Sequence, residues 1–428
     1  MGSDASTAAT GPLHNTVVID LTQHLAGPFA TQILGDLGAR IIKIEPPDGD
    51  STRAIGPHFV DGDSAYYLSV NRNKESVCIN LKSDEGRAAL LKLVCSADAV
   101  VENFRPGTME KLGIGADVLR KLKPSLVVTS LTGFGLDGPY RDRPAFDMIV
   151  QALGGGMSLT GDIGGRPVRS GLPIGDLCAG MNAAIATLAG LVRAGQDGTG
   201  SRVDVAMLDT QISLLSYVAS YYLTGGEVPG LQGRQHMSIP TYRAFTCADG
   251  RDIAVTANTP KMWIGLCRAL GTTSLLSDPR FTTNEDRRQH RDELGALLDP
   301  AALAMDSTQL LARLAEEGVA SAPINTVDAA LADPHVRSRG MVVEQRRGGE
   351  PVYAVGDPLK ISDGRAAHRV PPRLGQDTEA VLRTLGGLST ADVAALTEEG
   401  AIGPARVPRL AGRDTSQDTE SAPPARSA

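Results

Sequence analysis

One carboxylate stands in a setting suited to covalent chemistry. Asp176 closes the run Ser170-Gly171-Leu172-Pro173-Ile174-Gly175-Asp176, just before a long Ala/Gly-rich stretch. An Asp at that place is, on local grounds, first a helix N-cap that accepts from free backbone N–H groups. The glycines supply the alternative. They leave space for a substrate to reach the carboxylate, and N–H groups near Gly175 can hold a developing oxyanion. A free aspartate titrates near about 4, so Asp176 is expected to be ionised at pH 7 and to need no separate base.

Two polar loops add groups that bind anions. Asn103-Phe104-Arg105-Pro106-Gly107 follows a predicted strand, and Asn71-Arg72-Asn73-Lys74 precedes another. Each alone reads as a polar turn. Together they put amides and cations at strand ends, where α/β folds bind ligands, and they suit phosphates and a pantetheine arm. His24 and His236 are isolated, and a lone histidine is more often an ordinary packed or exposed group than a catalyst. Cys78, Cys95, Cys178, Cys247 and Cys267 form no CxxC pair, which argues against a disulfide framework or a zinc site. They fit a reducing cytosol. Leu21-Thr22-Gln23-His24-Leu25-Ala26-Gly27-Pro28 lacks the glycine fingerprint that seats a dinucleotide, so a nicotinamide cofactor is not expected.

Strands and helices must position these groups. The run at 16–21 reads as a buried strand, and 40–45, 76–81, 99–102 and 125–131 read as further strands. Helices are predicted at about 29–37, 84–95 and 116–122. The alternation predicts an α/β fold with an open parallel sheet, Rossmann-like, with helices on both faces. Further helices are expected at 146–153, 177–194 and 207–223. A linker at 225–237 leads to a smaller α+β domain at 238–335. That domain opens with a hairpin of strands 242–247 and 252–257 around Asp249-Gly250. Helices at about 261–270, 287–297 and 308–317 follow. Residues 336–403 are expected to return to the large domain of residues 14–224. The tail at 404–428 is rich in Pro, Arg, Ser and Thr and reads as disordered.

With 42% hydrophobic and 21% charged residues, the 428-residue chain has an ordinary soluble composition. Its formal charge of −7 leaves no basic footprint for nucleic acid. The first dozen residues carry no signal-peptide pattern, and the apolar stretch at 177–192 is short for a membrane span.

A series of ordered motifs carries a resemblance. Leu25-Ala26-Gly27-Pro28, Ile42-Lys43-Ile44-Glu45-Pro46, Asn73-Lys74-Glu75-Ser76, Val101-Glu102-Asn103-Phe104-Arg105-Pro106-Gly107, Phe146-Asp147 and Gly175-Asp176 occur in that order. Ala322-Pro323-Ile324-Asn325, Asp333-Pro334, Arg339-Gly340-Met341 and Leu374-Gly375-Gln376-Asp377-Thr378 continue it. Over about residues 15–388 the chain resembles the family III CoA-transferases, of the formyl-CoA transferase and carnitine CoA-transferase type.

The resemblance implies an acyl-CoA:carboxylate CoA-transferase with Asp176 as nucleophile, passing through aspartyl anhydride and aspartyl-CoA intermediates. Coenzyme A and its thioesters would be substrates, with no metal. By matching position, Leu25, Ala26, Ile79, Asn80, Leu81, Lys82, Asn103, Phe104, Arg105, Lys111, Pro144, Ala145, Phe146 and Asp147 would lie near CoA. Gly175, Arg169, Arg234 and His236 are candidates on the acid side. Two departures stand out. A glutamine often found in the first loop is Leu25 here, with Gln23 nearby, and a cation sometimes found before Phe146-Asp147 falls on Pro144, next to Arg143. Racemases of the family resemble Gly-His-Asp where this chain has Ala145-Phe146-Asp147, and phenylalanine accepts no proton. The family fold also implies an interlocked homodimer, while the cysteine usage and the lack of a signal-peptide pattern point to the cytoplasm, and charge and hydropathy to no nucleic-acid or membrane partner. A succinyl-CoA donor and a small dicarboxylate acceptor are expected. The alternatives are an acyl-CoA racemase or isomerase, and a non-catalytic CoA-binding protein.

Overall fold

The computed structural model describes residues 11–362 and 368–404. Six strands form one sheet: β1 (Val17–Asp20), β2 (Arg40–Glu45), β3 (Lys74–Cys78), β4 (Ala99–Glu102), β5 (Val127–Thr132) and β6 (Arg202–Ala206). Their order is β3-β2-β1-β4-β5-β6, and every neighbouring pair is parallel. Parallel strands are covered on both faces, and here the buried runs also hold charged side chains, Lys43 and Glu45 in β2 and Lys74 in β3. The order reverses between β1 and β4. Ligands of doubly wound sheets bind outside the carboxyl ends of the strands at such a reversal. Here those ends lead into the loops carrying Gln23–Leu25 and Asn103–Gly107.

Helices cover both faces. On one, α2 (Asp84–Cys95) packs Leu90 and Leu93 against Ile19, Ile42 and Val100. On the other, α1 (Ala26–Asp36) and the long α5 (Ile174–Asp197) bury Ala30, Leu34, Ala179 and Ala183 against Val18, Ile41 and Val127. Between them in sequence lie α3 (Ala116–Leu122) and α4 (Asp147–Leu153). Small residues let α5 sit this close. A Cβ on Gly180 would lie 2.6 Å from the Ala26 carbonyl oxygen. α5 is long and apolar enough to cross a membrane, longer than the stretch read from sequence, but its small-residue face is docked on α1 and β5.

After β6, α6 (Met207–Leu214) and α7 (Ser216–Gly225) stand where the pattern predicts one helix. Ser216 takes a φ of +45° and breaks it. α1 also begins before its expected start. Pro28 falls in its first turn, where the missing N–H costs nothing.

A second core surrounds Phe245, Trp263, Phe281, Leu298 and Leu314. It lies on an antiparallel sheet of β7 (Tyr242–Thr246), β8 (Asp252–Thr256) and β9 (Ala320–Pro323). β9 reads Ala-Ser-Ala-Pro and carries no strand signal of its own. A hairpin of β10 (Val342–Arg347) and β11 (Glu350–Val355) follows. The chain then reaches the β3 edge. Asp377 Oδ2 accepts the Ser76 N–H at 2.9 Å, and Val381, Leu382 and Ile402 join the core under the parallel sheet. The tail expected to be disordered lies outside the described residues, apart from Pro404.

Candidate active site

α5 begins three residues earlier than the pattern predicts, and this changes the role of Asp176. Pro173 is the N-cap residue, and Asp176 sits inside the first turn. Asp147, at the start of α4, does the capping instead. Its Oδ1 accepts the Gly175 N–H at 2.8 Å and its Oδ2 accepts from Gln151 Nε2 at 2.7 Å. The Gly175 N–H, an oxyanion donor on sequence grounds, is thereby occupied. Gly175 must be glycine for this contact, because a Cβ there would lie 2.8 Å from Val150 Cγ2 and 3.0 Å from Asp147 Oδ1. Gln151 Oε1 in turn accepts the Ser170 N–H at 2.9 Å and anchors the glycine-rich loop.

The Asp176 carboxylate makes no hydrogen bond among the described residues. It is half-buried and lines a cleft of about 320 Å³. Burial, and then the neighbouring Asp147 charge, push its pKa up to about 7. The positive helix N-terminus pulls the other way but does not prevail. Asp176 is therefore only about half ionised at neutral pH, which corrects the expectation of a fully charged group. Tyr66 lines the same cleft. Burial, then the Asp176 charge, push its hydroxyl up to about 12, so it keeps its proton at neutral pH.

The cleft lies at the reversal of the sheet. His24, Leu25 and Ala26 enter from the end of β1, and Asn103, Phe104 and Arg105 from the end of β4. The two loops are tied directly. Asn103 Nδ2 donates to the Gln23 carbonyl at 2.8 Å, and Asn103 Oδ1 accepts the Gln23 N–H at 2.9 Å. Below them, Lys43 Nζ donates to the Thr22 carbonyl at 2.8 Å and pairs with Asp50 at 3.0 Å. Lys74 Nζ pairs with Asp20 at 2.9 Å and donates to the Pro28 carbonyl. All four charged side chains are sealed from solvent. His24 is held at φ +69°, with its ring edge-on to Phe146 at 6.3 Å.

Pro144, Ala145 and Phe146 complete the wall across the end of β5. Gly133 allows this, since a Cβ there would lie 2.1 Å from Ala145 Cβ. The structure thus gathers Leu25, Ala26, Asn103, Phe104, Arg105, Pro144, Ala145, Phe146 and Asp176 around one cleft, with Asp147 and Gly175 directly behind.

Other predicted residues lie elsewhere. The Ile79 side chain is sealed in the core, where Ile79 bridges Ile402. Asn80 donates its N–H to Ala401, and its side chain accepts from Lys82 N–H. Leu81 packs on the core, and Lys82 and Lys111 are exposed. None of these five lines the cleft. Arg169 is exposed and donates to the Ser170 carbonyl. Arg234 pairs with Asp252 at 2.7 Å, and His236 is stacked between Tyr217 and Tyr242. These acid-side candidates also stand outside the cleft lining.

Sequence reasoning missed Tyr66, Thr132, Gly133, Arg141 and Met207 as lining residues. Thr132 and Gly133 follow the end of a predicted strand, a usable signal. Tyr66 carries none.

The model of the family described as CoA-transferase family III matches residues 13–378. The succinate–glutarate CoA-transferase of Agrobacterium fabrum is 37% identical over 383 residues, covering 87% of this chain and 96% of that one. The acetyl-CoA:oxalate CoA-transferase of Acetobacter aceti is 37% identical over 375 residues, covering 87% and 95%. The crystal structure of a CAIB/BAIF family protein from Brucella suis superposes with a TM-score of 0.79 at 34% identity, over 88% of this chain and all of that one. With a parallel sheet that reverses beside the Asp176 cleft, the chain belongs to CoA-transferase family III and is a CoA-transferase.

Proposed function

We propose that this enzyme moves CoA from succinyl-CoA to a short dicarboxylic acid by covalent catalysis at Asp176. The observation that carries the reading is a half-buried carboxylate, bare of hydrogen bonds among the described residues and open to a cleft. A carboxylate with a raised pKa is the stronger nucleophile once ionised, and a pKa of about 7 leaves a working fraction ionised at neutral pH. The succinate–glutarate activity of the Agrobacterium relative supports the choice of acids.

Asp176 attacks the donor thioester carbonyl, the C–S bond breaks, and CoA leaves as the thiolate. The thiolate then attacks the aspartyl carbonyl of the mixed anhydride, and the donor acid leaves as its carboxylate. The acceptor carboxylate attacks the aspartyl thioester and expels the thiolate again. Attack of that thiolate on the acceptor's acyl carbon forms the product thioester and frees Asp176. One thioester replaces another of similar energy, so no ATP is consumed.

Arg105, Arg141 and Arg143 offer charge to the CoA phosphates, and Leu25, Ala26 and Phe104 offer apolar contact to its arm. Asn80, Leu81, Lys82 and Lys111 would serve a more distant part of CoA, the sealed Ile79 would only hold their strand end in place, and Tyr66 would donate to the anhydride oxygen. Phe146 in place of a proton acceptor disfavours the racemase alternative.

The same reading makes the chain a cytoplasmic homodimer, interlocked through a large unit of residues 14–224 and 336–403 and a small unit of 238–335. Met181, Ile185 and Val192 leave an apolar stripe of α5 exposed, which suits a subunit interface. The five free cysteines suit a reducing compartment.

The test is trapping. The enzyme is incubated with succinyl-CoA, quenched with hydroxylamine and digested, and the peptide containing Asp176 is weighed. A hydroxamate on Asp176 is expected. An unmodified peptide during active turnover sinks the mechanism.

A further inference from the structure

A second pocket, of about 350 Å³, shares no lining residue with the Asp176 cleft. At its centre the His236 ring lies between Tyr217 and Tyr242, with centroids 5.6 and 5.5 Å away and interplanar angles of 21° and 20°. The hydrogen bonds fix the proton of this imidazole. Nδ1 accepts the Ser238 N–H at 3.1 Å, so Nδ1 carries no hydrogen. In the neutral ring the proton then resides on Nε2, which lies 3.0 Å from Tyr217 Oη. Burial, then Arg291, lower the His236 pKa and favour that neutral form. His236 is thus the donor to Tyr217, which leaves the Tyr217 O–H free to donate elsewhere. No acceptor for it stands among the described residues.

The backbone supplies a second observation. Ser216, immediately before Tyr217, holds φ at +45° in the left-handed region that side chains disfavour. Its break separates α6 from α7 and sets where Tyr217 projects. Such strain persists where the surroundings compensate it, and it concentrates at ligand sites. The remaining walls combine Met237, Ala244 and Ala254 with Gln232, Gln235, Arg243 and the Arg234 guanidinium, itself oriented by Asp252 at 2.7 Å and Thr246 at 3.0 Å.

A hydroxyl donor and a guanidinium that line one pocket recognise anionic oxygens, and the apolar part of the wall recognises a small hydrocarbon body. We propose that this pocket is a second ligand site on the chain for a short-chain carboxylate, whose oxygens accept from Tyr217 and face Arg234. The choice of a carboxylate over another anion rests on the transferase reading above.

Glutarate and succinate are titrated calorimetrically, without CoA, into the full chain and into Asp176→Asn and Tyr217→Phe variants, with inorganic phosphate as the control anion. Tyr217→Phe keeps the stacked ring and removes only the hydroxyl. Wild type and Asp176→Asn are expected to bind the acids alike, and Tyr217→Phe about tenfold more weakly at an unchanged melting temperature. In turnover, a raised acid KM at constant kcat in Tyr217→Phe identifies the site as one that passes the acceptor on to the Asp176 cleft. Lost binding with an unchanged KM identifies it as an effector. Either outcome keeps the site. Equal acid affinity in Tyr217→Phe and wild type, no acid binding at all, or equal binding of phosphate overturns the proposal. Acid binding without any Asp176 adduct leaves this site standing and removes the covalent mechanism. An Asp176 adduct without acid binding does the reverse.

Discussion

Asn103 and Gln23 are joined across the reversal of the sheet by two hydrogen bonds of 2.8 and 2.9 Å, side-chain amide to backbone amide. The pair behaves like one rung of a strand ladder. It holds the loop of His24 and Leu25 against the loop of Phe104 and Arg105, so both walls of the cleft keep one spacing. Both polar ends of the Asn103 amide are engaged in this way.

Removing that rung should loosen the cleft more than the fold. Asn103→Ala is expected to lower kcat/KM for the acyl-CoA donor by about ten- to a hundredfold, the effect of two hydrogen bonds at about 0.5–1.5 kcal/mol each. Asn103→Asp keeps the acceptor for the Gln23 N–H and loses the donor to its carbonyl, so it should fall between. Steady-state kinetics of both variants check the order.

Ionisation of Asp176 should appear in the pH profile. Protonated Asp176 cannot attack a thioester, so kcat/KM is expected to rise with pH through an inflection near 7. Asp147→Asn removes the repelling charge while its side-chain oxygen still accepts the Gly175 N–H. The inflection should then move to lower pH, on the order of one unit. An unmoved inflection would separate Asp147 from the tuning of Asp176.

The same group should weaken the folded protein when charged. Its pKa is about 7 folded, against 3.8 for a free side chain. Between those values the native state holds a proton that the unfolded chain has lost, so stability falls as pH rises through that window. Asp176→Asn should therefore gain about 1–2 kcal/mol over wild type at pH 8, a modest figure because the group is partly solvated. The gain should shrink at pH 5. Thermal melts at the two pH values measure the difference, and turnover of the variant should drop by on the order of 10³ or more.

Gly175→Ala places a methyl 2.8 Å from Val150 Cγ2. Overpacking of this kind costs about 1–3 kcal/mol. The displaced Asp147 should also stop capping α5, so activity falls together with the melting temperature.

Lys74→Ala leaves the buried Asp20 carboxylate with its hydrogen bonds from Thr22 and Thr31 and with Lys43 as its remaining, more distant charge partner. Breaking a buried pair from one side costs about 3–5 kcal/mol. A chemical denaturation curve should show its midpoint shift accordingly.

Much of this was legible in the chain, for identifiable reasons. The strands of the parallel sheet announced themselves through short β-branched runs that suit burial on both faces, such as Val17-Val18-Ile19. Asp176, Asn103 and Phe146 were found because they sit in short motifs at element ends. The start of α5 was misplaced because Ile174 and Gly175 carry no helix-start signal of their own. The residue that caps them, Asp147, is far away in sequence. The break at Ser216 was invisible because serine there keeps the helical pattern intact. Tyr66 and Arg141 reach the cleft only through tertiary folding, so spacing along the chain holds no trace of them. The last turn-and-helix, Thr390–Glu398, could have been read from its Ser389/Asp392 capping box.

Ser76 and Asp377 meet although 301 positions separate them. The outermost strand of the parallel sheet is therefore sheltered by a segment that is made 301 positions after it. During synthesis that strand waits, bare along one side, while the rest of the chain emerges, and an uncovered strand is a template for the wrong partner. A nascent or C-terminally clipped chain of this enzyme should therefore depend on chaperones and precipitate readily, even with every catalytic group already present.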